Sequence, residues 1–200
     1  MKVFLALTGA SGSIYGLRLA EELLKSGISV TLSASTSGIA VCRLETGIDL
    51  SGDNEAVAAM LTKHWQTDPG LLVLRAADDL WAAEASGSSA ADVMFVAPCS
   101  MGSLARIAAG FSGNLIERAA DVMLKESRRL VLLPRETPLS AIHLKNMLAL
   151  AEMGARIVPA MPGFYHQPAS MADLVDFVVG KLLDQADIPH NLFKRWGTIA

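Results

Sequence analysis

Six short apolar runs punctuate this chain, each pair far enough apart to hold a helix or a long loop: Val3–Leu7, Ser29–Ala34, Leu71–Arg75, Val93–Ala97, Leu130–Leu133 and Arg156–Val158. Strands that alternate with helical stretches predict parallel pairing, because a parallel neighbour needs a crossover and a helix is the usual one. The first run, Val3-Phe4-Leu5-Ala6-Leu7, is apolar at every position rather than at every other one. That suits a strand covered on both faces. The expectation is therefore α/β: a doubly wound parallel sheet, a Rossmann or flavodoxin-like three-layer sandwich. With 52% hydrophobic residues in 200, the chain has core enough for one such domain and is short for two, so residues 1–200 are read as a single domain with a C-terminal tail from about residue 185.

After the first run comes Thr8-Gly9-Ala10-Ser11-Gly12 and then a helical stretch. Gly9 and Gly12 permit a turn that a side chain would block, and Ser11 or Ser13 can cap the helix, whose free N–H groups and dipole attract an anion. The turn reads as a phosphate cradle, with a plain strand-to-helix turn as the alternative. A dinucleotide fingerprint would need glycine where Ser11 stands, and an acid about 20 residues on to hold a ribose. Neither is present. The second run ends in Ser33-Ala34-Ser35-Thr36-Ser37, short hydroxyls suited to phosphate oxygens or to capping. A mononucleotide such as FMN fits this better than NAD.

A second strand, small polar turn and helix follow at Val93-Met94-Phe95-Val96-Ala97-Pro98-Cys99-Ser100-Met101-Gly102-Ser103. In a parallel sheet both turns lie on the carboxyl edge, so two helix N-termini can converge on one ligand. Cys99 there invites a reactive-thiolate reading, but no base is specified nearby and a buried small hydrophobe is favoured. The small-residue stretch from Trp81 to Ala91 reads as a loop at a strand end, with Trp81 as a pocket wall. On the helical segment from Asn114 to Arg129, Arg118, Asp121 and Lys125 share one face, either a phosphate grip or a solvated, salt-bridged surface. Arg135 and Glu136, held between Pro134 and Pro138 at the end of the fifth run, stand where doubly wound sheets place their chemistry.

A net charge of −3 argues against a nucleic-acid surface. No apolar run reaches membrane-spanning length, and the short first strand leaves no signal-type core, so a cytoplasmic protein is expected. Cys42 and Cys99 have no metal-type spacing and are expected to be reduced; the four histidines are read as structural or surface residues, and no metal is expected.

Taken together, TGASGSIYG, ASGSS, APCSMGSLARIAAG, NLIERAADVMLKE, LVLLPRETPLSAIHLKNML and PAMPGFYHQP occur in an order and at separations that resemble the flavin prenyltransferase (UbiX-like) family from Val3 to about Trp196. The resemblance implies metal-independent alkylation of reduced FMN by dimethylallyl monophosphate, giving prenylated FMN for UbiD-type decarboxylases, a setting that includes ubiquinone biosynthesis. It also implies a homododecamer built from trimers.

Carried onto this chain, Gly9, Ala10, Ser11, Ser35, Ser100, Met101, Gly102, Ser103 and Arg135 resemble the flavin-binding set. Ser86, Arg118, Lys125, Arg135, Glu136, Tyr165 and Lys181 resemble the prenyl-phosphate set, with Ser11, Glu45, Lys125, Glu136 and Trp196 in the catalytic one. Lys181 departs from the arginine common at that place: it keeps the charge and loses the bidentate geometry. The alternatives are an FMN-binding decarboxylase of the phosphopantothenoylcysteine type, or a flavin-binding module without chemistry. A short-chain dehydrogenase, suggested by Thr8-Gly9-Ala10-Ser11, is set aside because neither Tyr15 nor Tyr165 has a lysine four residues on.

Overall fold

The computed structural model describes residues 1–197. Strands β1 (Lys2–Leu7), β2 (Ser29–Ala34), β3 (Leu72–Ala76), β4 (Val93–Cys99), β5 (Arg129–Pro134) and β6 (Arg156–Ile157) form one sheet in the order β3-β2-β1-β4-β5-β6. Every neighbouring pair is parallel. β1 lies beside β4, Val3 to Ala6 against Val93 to Val96, and the strand order reverses between them. The crevice beyond the carboxyl ends at such a reversal is the ligand position of this architecture.

The helices are α1 (Ser13–Lys25), α2 (Thr36–Thr46), α3 (Asn54–Trp65), α4 (Met101–Ala108), α5 (Leu115–Lys125), α6 (Ala141–Glu152) and α7 (Met171–Gln185). β1 shows why its run is apolar throughout. Val3, Leu5 and Leu7 join one core with α1, α2, α3 and α7, while Phe4 and Ala6 join a second core with α4, α5 and α6 on the other face. Burying each of the larger side chains is worth about 1.5–3 kcal/mol. α1 lies flush on the sheet at Gly16, where a Cβ would stand 2.1 Å from the Ala97 carbonyl oxygen. The expected Trp81–Ala91 loop contains two short 3₁₀ turns, Ala83–Ala85 and Gly87–Ser89. Among the described residues, no helix is long and apolar enough to cross a membrane.

Candidate active site

Thr8, a residue the sequence did not single out, joins the first two turns of the carboxyl edge. It is buried; its Oγ1 donates to the Pro98 carbonyl at 2.9 Å and accepts from the Ser100 N–H at 2.7 Å. The next residue, Gly9, lies so close to α2 that a Cβ would meet the Ser37 Cβ at 2.5 Å. These approaches bring Gly9, Ser35, Thr36, Ser37, Ser100, Ser103 and Arg106 around a polar hollow of about 320 Å³. Ser35 caps α2, accepting from the Gly38 N–H at 3.0 Å, and Ser100 caps α4, accepting from the Ser103 N–H at 3.3 Å. Two helix N-termini therefore open on one hollow, with hydroxyls and a guanidinium around it, which is the donor set an anion requires. Arg106 follows Ser103 at i+3, and that spacing was the signal available for it. It is held by Glu117, a buried carboxylate that also accepts from the Gly113 N–H at 3.0 Å.

The expected cap and anion site at α1 are corrected. The N-cap is Gly12 at φ 111° with no side-chain cap, so neither Ser11 nor Ser13 fills that role. Instead the Glu45 carboxylate, at the end of α2, accepts from the Gly12 N–H at 2.9 Å and the Ser13 N–H at 3.0 Å. A carboxylate in place removes the attraction that a helix start offers a phosphate. The helix ends that meet are those of α2 and α4.

Glu45, Ser11 and Arg135 line a neighbouring cleft of about 330 Å³ with Tyr15, Thr46 and Ala160. Arg135 Nε donates to the Ser11 carbonyl at 3.1 Å. Burial opposes ionisation of Glu45, but hydrogen bonds from the Ser11 hydroxyl and the Gly12 and Ser13 amides outweigh it and hold the carboxyl below its ordinary range. Burial raises the Tyr15 phenol. Ser11 thus stands between an anion and a cation, both fixed. Beyond Arg135 a hollow of about 240 Å³ is lined by Glu136, Leu139, Met147 and Met161. Glu136 is exposed; its Oε1 accepts from the Thr137 N–H at 3.0 Å and makes no bond to Arg135.

The other expected residues fall into two further groups. On α5, Arg118 Nε donates to the Ala85 carbonyl at 3.1 Å and its Nη1 reaches Asp121 at 3.3 Å, while Lys125 pairs with Glu126 at 3.3 Å. Ser86, next to Ala85, shares a hydrogen bond with Ser88 at 3.1 Å. Tyr165 sits edge-on to Trp196, ring centroids 5.2 Å apart, and to Phe177 at 5.6 Å. The tail folds back here: Arg195 bonds Asp184 at 2.8 Å, and Lys181 meets the same carboxylate at 3.3 Å. Burial opposes ionisation of Asp184, and bonds from Arg195, His190 and Lys181 outweigh it.

Of the remaining candidates, Ala10 and Met101 are buried and Gly102 is exposed in the first turn of α4. Burial pushes the Cys99 thiol up to about 12, so it is an inert core residue. His143 and His190 are structural: His143 Nδ1 accepts from the Ser140 N–H at the start of α6, and His190 is buried against Asp184.

The flavoprotein family model matches residues 1–193. A flavin prenyltransferase UbiX of Halalkalibacterium halodurans is 52% identical over 191 residues, covering 96% of this chain and 91% of that relative. The chain belongs to the UbiX flavin prenyltransferase family. Two solved UbiX-like structures align over nearly its whole length. One is a dodecameric FMN-dependent UbiX-like decarboxylase from Escherichia coli O157:H7, with TM-score 0.87 and 41% identity over 98% of this chain and 99% of that one. The other is AnUbiX (PadA1) in complex with FMN and dimethylallyl pyrophosphate, with TM-score 0.86 and 40% identity over 98% of this chain and 97% of that one. A phosphopantothenoylcysteine (PPC) decarboxylase shares the fold alone, with TM-score 0.57 and 19% identity.

Proposed function

We propose that this chain moves the dimethylallyl group of dimethylallyl monophosphate onto reduced FMN, releasing phosphate and giving prenylated FMN for UbiD-type decarboxylases in the cytoplasm, with residues 1–197 acting as one flavin-binding unit. The observation that carries the reading is the edge Gly9-Ala10-Ser11. It runs from the serine-lined hollow, bounded by Arg106, to the cleft where Ser11 lies between Glu45 and Arg135. On this reading the hollow takes the FMN phosphate through Gly9, Ser35, Ser100 and Ser103, and the flavin lies along Ala10 and Ser11 toward Arg135.

In the reaction the allylic C–O bond breaks and a new bond forms from the prenyl carbon to the flavin. The site must hold a departing phosphate and a cation-like prenyl group. Arg118, Lys125 and Lys181 supply positive charge to the phosphate. Tyr165 and Trp196 offer ring faces to the prenyl end, worth about 0.5–2 kcal/mol per contact. Ser86, Arg118 and Lys125 make no hydrogen bond or ion pair with the Ser11 cleft in this chain, so the reading assigns them to a neighbouring subunit's site in a dodecamer. Incubation with reduced FMN and either dimethylallyl monophosphate or the diphosphate, followed by mass spectrometry of the flavin, tests the proposal. Prenylated flavin with the monophosphate is expected, and unmodified flavin with both donors refutes it.

A further inference from the structure

Arg106 is not in the flavin-binding set that the family resemblance supplied, yet its side chain is aimed where a phosphate would lie. It belongs to the last turn of α4. Helical side chains lean toward the N-terminus, over the residue four positions back, and that residue is Gly102. With no side chain there, the guanidinium lies back over the first turn, its Nη1 3.6 Å from the point where a Gly102 Cβ would stand. Its Nε donates to Glu117, a buried carboxylate whose second oxygen accepts from the Gly113 N–H. Among the described residues, Nη1 and Nη2 have no hydrogen bond or ion pair. One side of the guanidinium is thus pinned, and two nitrogens remain for the polar hollow that Arg106 lines with Ser35, Ser100 and Ser103.

The position is a poor one for a cation alone. α2 and α4 turn their positive ends to the same hollow, and a positive charge beside a helix start opposes the dipole. No acid lines the hollow, since Glu117 belongs to α5 and is not part of its wall. Three sources of positive potential therefore repel one another until an anion lies among them. A guanidinium presents two parallel N–H groups that match two oxygens of a phosphate, which an ammonium cannot do. The structure assigns Arg106 as a direct ligand of the flavin phosphate monoester, with Glu117 as the residue that positions it. The assignment rests on the proposed function in one respect only, that the flavin phosphate occupies this hollow. A lysine at 106 has a single nitrogen and can serve Glu117 or the phosphate, but not both in the same geometry.

Calorimetry with FMN and fluorescence titration with riboflavin, which lacks the phosphate, test the assignment on the full chain and on three variants: Arg106→Gln with Glu117→Gln, Arg106→Lys, and Glu117→Gln. The double variant removes a buried charge together with its partner, so its ligand-free Tm should stay at the wild-type value. Its FMN affinity should fall about 10- to 150-fold, the effect of about 1.5–3 kcal/mol for a hydrogen bond to a charged group, while riboflavin binds as before. Arg106→Lys should lose FMN affinity in the same way. Glu117→Gln offers one acceptor oxygen in place of two and leaves the guanidinium to be ordered by the ligand, so FMN should weaken about 2- to 12-fold, again without a change in riboflavin. The prenyl donor also carries a phosphate, and its KM at saturating FMN separates the two sources: it should not move. FMN affinity unchanged in the double variant, riboflavin lost in step with FMN, or a loss confined to the prenyl donor overturns the assignment, and wild-type FMN affinity in Glu117→Gln overturns the positioning role. Should the double variant lose its fold, Arg106→Lys decides alone, and wild-type FMN affinity in it overturns the bidentate contact. A wild-type protein that binds no FMN overturns the proposed function as well, whereas FMN binding kept in the variants overturns this assignment only.

Discussion

Gly9→Ala tests whether the polar hollow exists because the β1 turn approaches α2 without a side chain between them. The new methyl would stand 2.5 Å from the Ser37 Cβ and 3.4 Å from its Oγ. Carbon atoms rest at about 3.5–4.0 Å, so the overlap is about 1 Å or more. Ser37 Cβ is the first atom off the backbone in the first turn of α2 and cannot swing aside; α2 itself has to move. Overpacking of this kind costs about 1–3 kcal/mol, and at about 2–4 °C per kcal/mol for a chain this size the ligand-free Tm should fall by roughly 2–12 °C. The shift also carries Ser35 and Thr36 away from Ser100 and Ser103. Losing one hydrogen bond to a charged phosphate, worth about 1.5–3 kcal/mol, weakens FMN binding about 10- to 150-fold. Gly102→Ala is the control, since its methyl would meet only Arg106 Nη1 at 3.6 Å, an ordinary contact. Its stability should be unchanged or higher by about 0.5–1 kcal/mol. Thermal denaturation without ligand and calorimetry with FMN measure both quantities. A Gly9→Ala protein with wild-type Tm and FMN affinity, or a Gly102→Ala protein whose ligand-free Tm falls equally, refutes the reasoning.

Three further outcomes are expected. Lys125→Ala should lower turnover with the prenyl donor at least tenfold while changing FMN affinity less than twofold, as steady-state rates and calorimetry will show; equal losses in both would return α5 to a merely solvated face. Glu136→Gln should cut the rate of prenyl-flavin formation about 10²–10⁴-fold at little cost in donor KM if the carboxylate moves a proton. Wild-type turnover in Glu136→Gln, with the loss confined to Glu136→Ala and to KM, would leave it a positioning role. Because the Glu45 carboxyl is held below its ordinary range in the folded chain, the stability it contributes is present above its unfolded pKa of roughly 4.3 and lost as pH falls through the lower folded value. The Tm gap between wild type and Glu45→Gln should therefore be open at neutral pH and narrow under acid, and a gap constant with pH would contradict the assignment.

Local pattern carried much of this protein. The uninterrupted apolar run of β1 implied a strand with a core on each face, and Leu5 and Phe4 do enter different cores. The hydroxyls after β2 and β4 implied helix starts with anion-binding character, and Ser35 and Ser100 are the caps of α2 and α4. These features depend on a few consecutive residues, through side-chain alternation and the unmet N–H groups of a first helical turn, so they can be read from the chain itself.

What the chain alone left open is whatever joins distant residues. Nothing near Gly12 announces that Glu45 takes the α1 amides, a contact that leaves α2 and α4 as the helix starts open to an anion. Thr8 reaches Ser100 and Arg135 reaches Ser11 only once β1, β4 and β5 are adjacent in the sheet, and Arg106 reaches Glu117 only once α4 packs on α5. That Arg118 and Lys125 bond to Ala85, Asp121 and Glu126 and not at the Ser11 cleft, and that an apolar stripe on α6 is exposed, likewise follow from which helix faces the sheet leaves uncovered. Helical periodicity fixes which residues share a face. Only the packing of sheet and helices decides whether that face meets core, water or another subunit.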